Sequence, residues 1–155
     1  MKICVASSRQ STLALWGRLL PASAAIWFVN GGSRSVQADV LMMSGVWAFD
    51  RYGGRPGREA AQILPNTRGD GLPEWIVVPP FRPVVERDGE FVTREDFAEV
   101  SPAHYAVLRS LQAVREEFGD SVTVVLDLSL LGMDDPNDES TPASVAQAIQ
   151  EFLAG

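Results

Sequence analysis

This chain of 155 residues is nearly without lysine: Lys2 stands alone, and the other twelve basic residues are arginines scattered singly or in small groups. With a formal net charge of −7, it lacks the clustered Lys and Arg that a nucleic-acid groove requires, although a single arginine-lined pocket remains open. Cysteine is just as scarce. Cys4 is the only one, so no intrachain disulfide forms, and its place in the first apolar run suits a small buried hydrophobe better than a nucleophile. No apolar run approaches the about 18 residues of a membrane span. The opening MKICVASSRQ is too short in its apolar part for a secretory leader, so a cytoplasmic location and no membrane partner are expected. There is one histidine, His104. It is the sole imidazole that could activate a serine or cysteine, and no second member of such a triad stands out.

What is present reads as one globular domain over residues 1–155, 46% hydrophobic and 21% charged. Apolar runs at Ile3 to Ala6, Ala25 to Val29, Val40 to Met43, Trp75 to Val78 and Val122 to Leu126 predict buried strands. Between them, Ser11 to Leu20 carries Leu13, Trp16, Leu19 and Leu20 at helical spacing, with Ser11 as N-cap and Pro21 as stop. Ser101-Pro102 opens the best-marked helix, with Val107, Leu108, Leu111, Val114 and Phe118 inward and Gly119 closing it. Thr141-Pro142 repeats that chemistry before a last helix with Val145, Ile149, Phe152 and Leu153 inward. Glu59 to Leu64 predicts a short helix ended by Pro65. Asn66 to Pro73 reads as loop, and Arg82 to Thr93 as a hairpin turning at Asp88-Gly89. Strands alternating with amphipathic helices give an α/β fold: three layers, α/β/α, around a mixed, mostly parallel sheet.

The stretch Asp39 to Gly57, DVLMMSGVWAFDRYGGRPG, is the most suggestive. A buried strand running into a loop with Gly53, Gly54 and Gly57 is where backbone N–H groups of α/β proteins meet phosphate. Arg51, Arg55 and Arg58 could add bidentate hydrogen bonds. The loop matches neither the P-loop nor the dinucleotide fingerprint. A second loop, Asp127 to Asp135, follows the Val122 to Leu126 strand and could flank the same crevice. The acids Asp134, Asp135, Asp138 and Glu139 invite a calcium loop, but counting from Asp135 puts Ser140 sixth and Ala146 twelfth, which fails. Neither metal nor cofactor is expected. Arg68-Gly69-Asp70 reads as a chance loop triplet. Trp16, Trp27 and Trp75 fall at core positions, whereas Trp47 lies in the glycine stretch, free to stack on a base or to pack beneath the turn.

Across its whole length the order of parts resembles a divergent macrodomain, the ADP-ribose-binding α/β/α module, in the variant with an extra N-terminal strand and helix. Met1-Lys2-Ile3 matches that variant's opening strand. Asp39-Val40-Leu41-Met42 and Met43-Ser44-Gly45-Val46 match the family's strand and following turn, and Trp47 to Gly54 its aromatic stretch before a Gly-Gly pair. Glu74 to Pro80 and His104 to Leu108 are similar to the next strand and helix. The family turn's Asn is replaced here by Val46, the Asp after Gly-Gly-x by Pro56 and the adenine-binding Asp by Gly32. Gly132 alone remains of a glycine-rich second phosphate loop. The resemblance implies a small-molecule nucleotide ligand, ADP-ribose or a relative. It would be held by Ser44, Gly45, Trp47, Phe49, Arg51, Gly53, Gly54, Arg55, Gly57, Ser129 and Gly132. Hydrolysis of an ADP-ribosyl or O-acyl-ADP-ribose bond is a second expectation. Asp50 is its candidate base, as the carboxylate nearest the loop in sequence, with Asp127 and Asp134 as others. A third is that the altered loops serve a protein partner.

Overall fold

The computed structural model describes residues 1–57 and 59–155. Its main sheet has six strands: β1 (Lys2–Ser7), β2 (Ile26–Asn30), β3 (Val40–Met42), β4 (Gln62–Pro65), β5 (Trp75–Val78) and β8 (Thr123–Asp127). They run in the order β2-β1-β8-β3-β5-β4. Every pairing is parallel except β4 with β5, which sets Gln62 opposite Val78 and Pro65 opposite Trp75. Proline has no N–H to donate, and an edge strand tolerates that. Four helices flank the sheet: α1 (Gln10–Leu19), α2 (Gly45–Tyr52), α3 (Pro102–Phe118) and α4 (Ser140–Ala154). No helix among the described residues is long and apolar enough to cross a membrane.

Strand side chains alternate faces, and the core divides accordingly. Ile3, Val5, Val40, Met42, Val77, Val124 and Leu126 point to one side, where they meet Leu15 and Trp16 of α1, the inward row of α3, and Val145, Ile149 and Phe152 of α4. Cys4, Ala6, Leu41, Met43, Ile76, Val78 and Val125 point to the other. That side is covered by one short helix, α2, through Ala48 and Phe49, and by loops carrying Val36, Ala38 and Leu72. The second face is therefore thin, and its loops rather than helices decide its shape.

Local chemistry explains most boundaries. The Ser101 hydroxyl accepts the His104 N–H (3.1 Å) to cap α3, and Gly119, at φ 77°, ends it. The β6 (Val84–Arg87) and β7 (Glu90–Thr93) hairpin turns through Asp88 (φ 53°) and Gly89 (φ 80°), the pair of positive angles that a type I′ turn demands.

Five local expectations need correcting. Residues 45–52, read as loop, form α2. Residues 62–65, read as part of a helix, form β4 because β5 offers an open edge. Ser11 lies inside α1, whose N-cap position is Arg9 with no side-chain cap. Asp138, not Thr141, caps α4: its carboxylate accepts the Ser140 and Thr141 N–H groups (3.0 and 3.2 Å) and both hydroxyls (2.9 and 2.6 Å). Leu153 is 36% exposed rather than inward.

Candidate functional site

The parallel strands β1, β8, β3 and β5 end together, so the turns that follow them share one rim of the sheet. Two of these turns are tied by a backbone bond, Ser44 N–H to Leu130 O at 3.1 Å. Pro79 and Pro80 end β5 beside them. Between them lies a groove of two adjoining cavities, of about 540 and 590 Å³, which share Ser44, Gly45, Pro79, Phe81, Leu131 and Gly132. One cavity extends under the hairpin and α3, past Val84, Thr93, Ala103 and Ala106. The other extends along α2, past Trp47, Phe49 and Gly57. Among the described residues, neither is lined by Asp, Glu, His, Cys or Lys. Among the described residues, the single charged lining residue is Arg82, whose Nη1 donates to Val100 O at 2.8 Å. Val46, Phe81 and Trp47 stand 83%, 74% and 46% exposed at the groove.

The first turn of α2 faces this groove. The Trp47 and Ala48 N–H groups both donate to Ser44 O (3.1 Å each), while those of Gly45 and Val46 have no acceptor among the described residues. Free N–H groups at the positive pole of a helix attract an anion. Gly45 is small for a visible reason: a Cβ there would lie 2.3 Å from the Phe49 ring. The same ring leaves only 2.9 Å beside Gly54. Both glycines therefore seat Phe49.

The Gly53-Gly54 pair ends α2 rather than a strand. Gly53 donates its N–H to Phe49 O (3.2 Å) at the carbonyl pole of the helix. The Gln62 amide clamps the Arg55 backbone from both sides, at 2.9 and 2.8 Å. Gly54 and Arg55 line a shallow hollow with Glu59, whereas Gly57 reaches the groove. Arg58 lies outside the described residues.

Arg51 and Ser129 belong to a different pocket, of about 350 Å³, over the ends of β1, β2 and β8. At its floor the buried Asp127 accepts the Ser33 N–H (3.1 Å) and the Leu130 N–H (3.2 Å). Ser7 and Ser33 are buried there too, while Arg34, Arg51 and Ser129 are exposed around it. Sequence reasoning missed Arg34 and Ser33. The one available signal was Asn30-Gly31-Gly32 ending a strand next to the first.

The other candidates lie elsewhere. Asp50 is exposed on α2 and lines none of these cavities. Asp134 accepts the Ser7 hydroxyl at 2.8 Å, and Asp138 caps α4, so these acids point to separate tasks. Cys4 is fully buried, and burial pushes its thiol up to about 11. His104 Nε2 meets Glu151 at 2.9 Å, linking α3 to α4. Arg68-Gly69-Asp70 lies in a loop as expected, and Asp70 organises that loop. It accepts the Tyr52 hydroxyl (2.6 Å), the Asn66 amide (2.8 Å) and the Leu72 N–H (3.1 Å). Burial alone would raise its carboxyl, but those bonds hold it down at about 2.

No protein-family model matches the chain, and no curated protein does.

Proposed function

We propose that the groove binds a nucleoside diphosphate of the ADP-ribose class, as expected of a divergent macrodomain. The observation that carries this reading is the meeting, at one rim of a parallel sheet, of an apolar cavity pair with the free N–H groups of Gly45 and Val46. Each cavity falls in the size range of small-molecule sites. In this reading the diphosphate lies against the start of α2, and Trp47 and Phe81 wall the base or ribose with their exposed rings. Gly132 leaves room on the opposing loop.

Binding is favoured over hydrolysis because no carboxylate or imidazole among the described residues lines the groove, leaving no protein base to activate water. Calorimetric titration with ADP-ribose, with AMP and NAD as comparators, tests the proposal. Selective micromolar binding that weakens in Phe81→Ala supports it. ADP-ribose that gives no heat and no rise in Tm at saturation overturns it, since a ligand at about 100 times its Kd adds about 2.7 kcal/mol.

A second reading rests on exposed apolar side chains. Val46 and Phe81 at the groove, with Val84 and Phe91 on the hairpin, suit a surface that a protein partner covers.

A further inference from the structure

We infer that the pocket over β1, β2 and β8 is a separate binding site for a phosphorylated sugar. Its chemistry is graded from floor to rim. The floor carries the Asp127 carboxylate, whose two oxygens each accept one backbone N–H and keep lone pairs to spare. The rim carries two exposed arginines, Arg34 and Arg51. Two arginines over one small pocket place cationic forks opposite its buried carboxylate.

A ligand that suits both ends has hydroxyls to donate inward and a dianionic group to place outward. The carboxylate repels phosphate from the floor, and the guanidiniums, with planar forks of donors, hold it at the rim. Ser129 adds a hydroxyl beside them. Among the described residues no aromatic side chain lines the pocket, so none of them stacks on a base.

The loop holding Asp70 braces the Arg34 side chain and the Arg51 main chain. Arg34 Nε donates to Asp70 O at 3.2 Å, and Arg68 Nη1 donates to Arg51 O at 3.4 Å. Asp70 is itself fixed by Tyr52 and Asn66. Arg34 thus reaches the pocket with its Nε already placed, which lowers the entropy lost on binding.

The site does not depend on what fills the groove, and the test keeps the two apart. Ribose 5-phosphate is titrated calorimetrically into the full chain, with AMP and inorganic phosphate as comparators. Saturable binding is expected, weakened by about tenfold or more in Arg34→Gln and in Arg51→Gln and unchanged in Arg18→Gln, an exposed arginine on α1. Inorganic phosphate competes, but more weakly. Absence of binding at millimolar ribose 5-phosphate overturns the proposal, and so does binding that neither substitution changes. AMP binding more than about tenfold tighter than ribose 5-phosphate would assign the pocket to a nucleoside and overturn the sugar-phosphate reading. Each result stands whether or not ADP-ribose binds the groove.

Discussion

Replacing Asp70 should cost the protein far more than an ordinary loop substitution. Its carboxylate takes three hydrogen bonds, from Tyr52 Oη, Asn66 Nδ2 and Leu72 N, at 2.6, 2.8 and 3.1 Å. Bonds to an ionised group contribute about 1.5–3 kcal/mol each, and partial exposure of this loop reduces that, so Asp70→Ala is expected to lose about 2–4 kcal/mol at neutral pH. The charge-dependent share follows independently. A fall from 3.8 to about 2 corresponds to about 2.5 kcal/mol, which solvent screening brings to about 1–2 kcal/mol. The sign is fixed by linkage. The folded carboxyl titrates below the unfolded one, so its contribution is complete above the unfolded value of 3.8 and is lost as pH falls through about 2. Urea unfolding followed by tryptophan fluorescence, at a series of pH values from neutral downward, measures both parts. The gap between the native sequence and the isosteric Asp70→Asn should stay constant to about pH 5 and then close by about pH 2. In a chain of this size each kcal/mol moves Tm by about 2–4 °C. The reasoning is refuted if Asp70→Ala lies within about 0.5 kcal/mol of the native protein, or if the gap to Asp70→Asn ignores pH.

Ser101→Ala removes the side-chain cap of the longest helix and should cost about 1 kcal/mol in the same unfolding assay, with Ser101→Asp restoring most of it. The Cys4 thiol, buried and pushed up to about 11, should resist a thiol-specific reagent at neutral pH in the native state and react at once in denaturant; rapid native reaction would contradict its placement.

The elements the sequence announced are those whose local signals agree with their surroundings. The Trp75–Val78 strand is bounded by prolines on both sides and observed with those limits. The α3 helix carries its own start and stop, Ser101-Pro102 and Gly119, and its inward row is buried as spaced, with Phe118 half-buried at the end. The two misread segments are ones that tertiary contact decides. In residues 45–52, glycine at the start and Gly53-Gly54 beyond the end hide a helix whose single buried side chain is Ala48. In residues 59–64 a short apolar cluster fits a helical turn as well as a strand, and only the open edge of β5 selects the strand. Six of the nominated ligand residues, Ser44, Gly45, Trp47, Phe49, Gly57 and Gly132, line one cavity. They sit on two segments, one after β3 running through α2 and one after β8, that the parallel strands bring to one rim. The polar pocket could not be found in the same way. Its walls come from residues 7–8, 31–35, 43, 51, 72 and 127 with 129–130, six segments with no shared motif until the sheet assembles.

The strand order also dictates when that assembly can happen. In the sheet β2-β1-β8-β3-β5-β4, β8 is the only strand joining the β2-β1 pair to the β3-β5-β4 trio. Its partners are distant: Ile3 and Val40 both sit opposite Val124. Until residues 123–127 leave the ribosome, β1 and β3 each lack the neighbour that pairs their open edge, and nothing joins the two parts of the sheet. Loop-closure entropy for both halves falls due together when β8 inserts. Folding should therefore be late and all at once rather than progressive, and nascent chains that stop short of residue 123 should be the form most prone to pair with each other.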